Sequence, residues 1–446
     1  MTNPKEGYNS GIRRSVVGTI NSSGDWIEGG TTLTVGDAGQ FSTLGEANDF
    51  VITQASTNME TLDTGTLALL NGEYTLVASA AISSNVQGRE LFLQLDGESF
   101  LFPVTLTDPG TSTYLKLKYP FYARTETDVD FSILSPKTKY NIVLSPGRHR
   151  GDGTVVELPP FTVVSGYGKN LTYYEDECES ANGGIIEIPH TSQYSSVRDI
   201  AMQVYGSVRG GCITITGSST EINTGSHFEF NNLDLTSTEA SEDGIWKPTT
   251  NKEATDFISV TNSTFQGYFD SIALFNTITT RITGNNIYAI AENNDTSAAH
   301  GIQISGNSVA DSKSLVYGNN IQTYQGQTGF SATTAGIKIS AQINTTKDFV
   351  AQVSNNFFDV QGELDSGGIP GLESKGYGIH ATDVGFSVGN YYVRSINNLF
   401  NVTGSRETFD LTAFGDVTVF TANDRKYDGT AVDSTTSGAG TVTVVL

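Results

Sequence analysis

One short element recurs through the second half of this chain and constrains its fold more than any other feature. It is an Asn-rich turn followed by apolar or aromatic residues. It occurs as Asn231-Asn-Leu-Asp, Asn262-Ser-Thr-Phe, Asn285-Asn-Ile-Tyr, Asn319-Asn-Ile-Gln, Asn355-Asn-Phe-Phe and Asn397-Asn-Leu-Phe. The first asparagines are 31, 23, 34, 36 and 42 residues apart, and Asp199, 32 residues before Asn231, marks a degenerate earlier copy. A second element runs out of phase with the first: Gly244-Ile-Trp, Gly301-Ile-Gln-Ile, Gly336-Ile-Lys-Ile and Gly378-Ile-His-Ala, with Gly211-Cys-Ile-Thr-Ile as a looser copy. Alternation in the best copies points Ile302 and Ile304 inward and Gln303 outward.

A repeat this short cannot bury its apolar face alone, so neighbouring copies must stack and share one core. Asparagine tolerates the left-handed backbone of a sharp corner, and its amides can form hydrogen-bonded ladders from copy to copy. Variable spacing fits insertions confined to outer loops. After Val51 no segment keeps a helical period, which argues against barrels and doubly wound folds that need a helix between strands. The sequence therefore predicts an all-β, right-handed parallel β-helix.

Five regions follow. Residues 1–30 read as an arm with a basic pair, Arg13 and Arg14. Residues 31–55 hold the entry to the solenoid and one short helix. There Thr43 and Glu46 form a capping box, and Leu44, Ala47, Phe50 and Val51 share a face suited to plugging the solenoid's open end. Residues 56–138 contain ordinary alternating strands such as Leu91–Leu95, separated by Gly, Asp and Pro turns; they predict an inserted antiparallel, sandwich-like β domain. The solenoid spans 139–408, and 409–446 is a short C-terminal β cap or tail.

Charge narrows the partners. With 48 acidic against 25 basic side chains the net charge is −23, which disfavours nucleic acid and anionic membranes. The polar start and the lack of a long apolar run predict neither signal peptide nor membrane insertion. Two cysteines, Cys178 and Cys212, exclude a disulfide framework but leave their own pairing open.

The segment Gly39-Gln-Phe-Ser-Thr-Leu with Glu46-Ala47, then Val143-Leu-Ser-Pro-Gly and Gly166-Tyr-Gly, resembles the opening of pectin-lyase-like β-helix proteins. The Asn-Asn-Phe-Phe repeat is similar to that superfamily and to bacteriophage tailspikes and related virion proteins. The resemblance covers residues 35–52 and 140–405. It implies a spike on a virus particle, a homotrimer by analogy with tailspikes, with other virion proteins and host surface polysaccharide as partners. The Asn-Thr-Asp, Asp-Asp and Gly-His-Gly motifs of polygalacturonase-like enzymes are absent.

Candidate chemistry concentrates in residues 229–275. A glycosidase needs two carboxylates across a sugar-binding groove. Here Glu242, Asp243, Asp256 and Asp270 supply carboxylates, and Trp246, Tyr268 and Phe275 supply rings that could stack on sugars. In so acidic a chain, solvated loop acids are the plainer account of such a cluster. The five histidines, His149, His190, His227, His300 and His380, lack metal-ligand spacing, and no dinucleotide or phosphate loop appears. No cofactor and no metal is expected. Two functions compete: a structural spike that contacts glycans, without catalysis, and a polysaccharide depolymerase on the same solenoid. A non-catalytic carbohydrate-binding adhesin is a third.

Overall fold

In the computed structural model, the described residues are 19–20, 26–27, 30–70, 72–83, 86, 89–96, 101–106, 110–117, 125–178, 183–205, 211–217, 226–248, 255–291, 299–307, 310–325, 333–340, 346–362, 375–382, 389–403, 407–437 and 440–444. From residue 139 the chain winds as a right-handed parallel β-helix. Each full coil places strands on three faces. Face A is a twelve-stranded parallel sheet running from Gly30–Val35 and Lys139–Leu144 to Thr441–Val444. Face B begins with Gly147–Arg150, Thr172–Glu177 and Ala201–Tyr205; face C begins with Val156–Glu157, Gly184–Pro189 and Gly211–Thr216. The long strands Asp234–Lys247 and Thr264–Leu274 cross both faces and join B and C into one hydrogen-bonded sheet of eighteen strands.

The core is a set of columns. On face C, Val156, Ile186, Ile213, Ile245, Ile272, Ile302, Ile337, Ile379 and Leu411 are register partners on successive strands. All are buried. Face B opposes them with Phe265, Ile287, Ile321, Phe358 and Phe400, the last two stacked at 4.8 Å. The glycine of the second repeat is required by this opposition. A Cβ on Gly336 would lie 2.5 Å from Phe358, and one on Gly378 2.4 Å from Phe400.

The asparagine repeat forms the corner between faces A and B. Asp199, Asn232, Asn262, Asn355, Asn397 and Asn423 adopt left-handed backbone there, and Gly284 and Gly318 take the same place. The copies at Asn285 and Asn319 therefore align one residue later than the sequence suggested: glycine turns the corner and the first asparagine occupies the next position. That next position is the ladder. Asn285 Nδ2 donates to Asn319 Oδ1 (3.0 Å), Asn319 to Asn356 (2.9 Å), and Asn356 to Asn398 (3.0 Å). Each amide also donates to a carbonyl of an adjacent coil, and each Oδ1 caps a backbone N–H. Asp424 ends the row, accepting from Asn398 N at 2.7 Å.

The helix α1 (Leu44–Asn58) has the expected capping box, with Thr43 accepting from Glu46 N and Glu46 accepting from Thr43 N. Leu44, Ala47 and Val51 are buried against Leu33, Ile142 and Leu158, which closes the solenoid's first coil. The inserted segment forms a closed antiparallel barrel of Met59–Leu69, Thr75–Ala78, Leu91–Leu95, Leu101–Thr105, Tyr114–Leu117 and Glu126–Pro136. It leaves and re-enters the solenoid at one place, where Asn58 Nδ2 donates to Thr138 O and Lys137 N to Asn58 O, both at 2.7 Å.

The barrel rests on an aromatic row along face A. Phe161, Tyr194, His227 and Phe257 stack at 5.9, 5.3 and 4.6 Å. Phe92 of the barrel meets Phe161 edge-on at 5.2 Å, and Lys139 sits 5.6 Å from the Phe161 and Tyr194 rings while pairing with Glu90 at 2.8 Å. The C-terminal tail caps the stack by extending it, since Val417–Ala422, Ser434–Ser437 and Thr441–Val444 all pair in parallel. Arg13 and Arg14 lie outside the described residues.

If the ladder holds the coils in register, Asn319→Ala should destabilise the protein by about 2–4 kcal/mol, because it orphans buried donors and acceptors on both neighbouring coils. The exposed neighbour, Asn286→Ala, should cost less than about 0.5 kcal/mol. Urea unfolding of both variants checks this, and equal losses would contradict it.

Candidate functional site

The outward side chains of face C form two columns beside the buried isoleucines. One runs Asp243, Asp270, His300, Ala335, Tyr377, Phe409; the other runs Trp246, Ala273, Gln303, Lys338, His380, Thr412. These residues flank the second repeat on either side of its conserved spacing: the residue before the glycine, and the residue between the two apolar positions. Outward side chains of a solenoid are usually solvated, yet Asp243, His300, Tyr377 and His380 are each at most 8% exposed. The row is thus largely packed in and not solvated, with Trp246, Asp270, Lys338 and Phe409 its partly exposed members.

Its centre is an acid–base pair. His300 Nδ1 lies 2.6 Å from Asp270 Oδ1. An ionised Asp270 fixes the proton on Nδ1 and leaves Nε2 as the basic nitrogen. That Nε2 is buried and has no hydrogen-bond partner among the described residues. Lys338, one strand further on, feels burial, which lowers its pKa, against the Asp270 carboxylate, which raises it. His380 is pushed down from 6.5 to about 3, chiefly by burial and further by the neighbouring lysines Lys338 and Lys375. Its ring stacks on Tyr377 at 4.8 Å, and its Nδ1 lies 2.8 Å from Thr412 Oγ1. The row therefore joins an Asp–His pair, a desolvated lysine and a neutral histidine, a set able to move protons at a bound polar ligand.

Of the residues singled out from sequence, Asp243 and Asp270 fall in this row on adjacent strands as register partners, and Trp246 borders it, partly buried. Tyr268 does not. It lies fully inside the coil with its hydroxyl 3.0 Å from Cys212 Sγ, so no ring face is free for a sugar. Phe275 is 4% exposed and likewise unable to stack on a ligand. Glu242 and Asp256 belong to the strands Asp234–Lys247 and Thr255–Thr261, and their side chains lie outside the described residues. Cys178 and Cys212 are free thiols, both buried. His190 and His227 make local contacts with Ser226 and Glu229. His300, Lys338 and His380 were not assigned roles from sequence; aligning the flanks of the second repeat would have placed all three in one row. Among the described residues no group of three or more His, Cys, Asp or Glu side chains is placed to hold a metal ion.

No protein-family model matches the chain. No curated protein matches it either. Several solved structures align with it at low identity. The catalytic unit of the GH87 α-1,3-glucanase from Streptomyces thermodiastaticus strain HF3-3 aligns at 12% identity over 87% of this chain and 87% of that one, with a TM-score of 0.34. The A-module of mannuronan C-5 epimerase AlgE4 from Azotobacter vinelandii aligns at 13% identity over 69% and 89%, with a TM-score of 0.31. The tailspike gp49 from Pseudomonas phage LKA1 aligns at 7% identity over 85% and 66%, with a TM-score of 0.31. At these identities and scores the likeness carries no residue roles.

The neutral state of His380 has a consequence for stability. A histidine that stays neutral when folded but titrates near 6.5 when unfolded contributes stability above pH 6.5, and that stability is lost as pH falls towards 3. His380→Gln should therefore lessen the fall in stability below pH 6.5, by up to about 1.4 kcal/mol per pH unit. Chemical unfolding at stepped pH measures it; an unchanged acid profile would contradict the burial of a neutral ring. The chain is a right-handed parallel β-helix with an antiparallel barrel inserted ahead of its first complete coil.

Proposed function

We propose that this chain is a spike protein displayed on a bacteriophage particle, and that it engages host surface polysaccharide along the outward row on face C. The observation that carries the reading is the register-aligned row of polar and aromatic side chains on that face. Polar and aromatic side chains recur there on successive strands, about 4.8 Å apart, and its partly exposed members, Trp246, Asp270, Lys338 and Phe409, are the contacts a linear polymer laid along the solenoid axis would meet. The acidic exterior and the barrel clamped beside the capped end suit a rigid body presented outward from a larger assembly. A homotrimer is the assembly this reading favours. Immunogold labelling and protein analysis of purified particles test it, together with binding of the intact particle's host glycan by the isolated protein. A protein missing from the particles, or blind to every host glycan, would end this reading.

Cleavage of the bound polymer is a second reading, and one specific observation favours it: the Asp270–His300 pair with its unpartnered Nε2. A positioned general acid or base contributes typically about 10²–10⁴-fold. If the wild type cleaves, His300→Gln and Asp270→Asn should each lose at least about a hundredfold in rate with folding intact, whereas Tyr268→Phe should retain the activity. Undiminished cleavage by either of the first two variants would remove the pair from the chemistry. Binding without any product release would leave the adhesin role alone.

A further inference from the structure

Face A carries two different surfaces along its length. At its start the row of Phe161, Tyr194, His227 and Phe257 supports the barrel. Beyond Phe257 the same outward column continues as Thr279 and the exposed Lys313. The six strands from there on are Thr277–Thr283, Ser312–Tyr317, Phe349–Ser354, Tyr391–Ile396, Val417–Ala422 and Thr441–Val444. They contain no Asp or Glu, in a chain with 48 acidic side chains against 25 basic ones. They do carry Arg281, Lys313 and Arg394, all exposed and none in an ion pair among the described residues. Between these cations lie Leu315, Val350, Tyr392 and Phe420, all half-buried, the last two with rings 5.9 Å apart. Two acids at the entry edge of the face are engaged elsewhere: Asp311 Oδ1 accepts from Asp348 N at 3.1 Å, and Asp348 Oδ1 from Asn390 N at 2.7 Å. An apolar centre with arginines around it and no carboxylate has the composition of an interface, not of a solvated sheet.

The barrel holds the complementary surface. Its wall on the strands Leu91–Leu95 and Glu126–Pro136 meets the solenoid at one end, through Phe92 and Leu134. Further along the same wall come Gln94, opposite Ser132, and then Asp96 and Asp130, whose backbones bond at 3.0 Å (Asp96 N to Asp130 O). There the wall forms a groove of about 630 Å³ with both carboxylates exposed and no Lys or Arg in its lining. Like charges on neighbouring strands repel, and no cation among the described residues pairs with either. We propose that the acid-free stretch of face A binds the barrel wall of a second copy of this chain, with Arg281, Lys313 and Arg394 facing Asp96 and Asp130 around the apolar centre. The contact goes beyond the spike reading, because it fixes which surfaces meet. Charge selects this occupant, since two copies of face A would set cation against cation. Continuity selects it too: within one chain the barrel already packs on face A, and both surfaces prolong that contact. Six strands about 20 Å long and about 4.8 Å apart offer roughly 500 Å². Each copy carries both surfaces, so a closed arrangement buries about 1,000 Å² of each, above the ~800 Å² per partner of a stable interface.

Sedimentation velocity and light scattering of the whole chain, at low and at raised salt, test this. Wild type should self-associate, with a dissociation constant that rises about tenfold or more as salt screens the pairs. Arg281→Glu with Arg394→Glu should weaken association at least about tenfold, and so should Asp96→Lys with Asp130→Lys. Combining all four substitutions puts opposite charges across the contact again and should restore association, which separates a lost contact from a lost fold. All four positions are exposed, so the melting temperatures should stay at that of wild type. A wild type that stays monomeric, an association indifferent to salt or to either reversal, or a combined variant that does not reassociate overturns the contact. A monomer also removes the homotrimer, and leaves display on the particle and glycan contact to their own tests.

Discussion

Everything in this molecule depends on a shared core that no coil can supply for itself. One turn of the chain offers each face only a few inward side chains, such as Ile337 and Ile339 or Phe358 and Val360, all buried only because the coils before and after cover them. Parallel register is what aligns these contributions. Slip by one residue would send the isoleucine column outward. The asparagine ladder prevents that slip by tying side chain, backbone N–H and carbonyl of successive coils together at one corner.

The ends of such a stack are its weak points, since the terminal coils lack one neighbour. The chain meets the problem differently at each end. Helix α1 lays Leu44, Ala47 and Val51 over the first coil. At the other end the ladder stops on Asp424, whose carboxylate accepts from Asn398 N and Thr421 Oγ1 in place of a further asparagine. The barrel is anchored by rings, not by strand pairing with the solenoid, and two of those rings, Phe161 and Tyr194, hold left-handed backbone at the corner entering face A. Bulky residues pay for that conformation, and the packing against Phe92 and Lys139 offsets it.

Much of this was legible in the sequence, because stacking imposes a periodicity that one dimension preserves. The Asn turns, the Gly-Ile alternation and the Thr43–Glu46 capping box each have a local cause and appear as local patterns. The corner at Asn285 and Asn319 was placed one residue off because glycine and asparagine both tolerate left-handed backbone, and only the dihedrals separate them. The row on face C was harder. Asp270, His300, Lys338 and His380 come from four different coils, and they meet only through register. Tyr268 misled for the opposite reason: it sits among acidic residues in the chain, but where its strand crosses from face B to face C it turns inward towards Cys212.

The central claim is that face C carries the working surface and that the other two faces are structural. Amide hydrogen exchange of the intact protein, with and without a bound polysaccharide, tests this most directly. The account predicts added protection in the strands His300–Ile304, Thr333–Ser340 and Lys375–Thr382 and the loops that flank them. Protection confined to face A, or to the barrel, would contradict it.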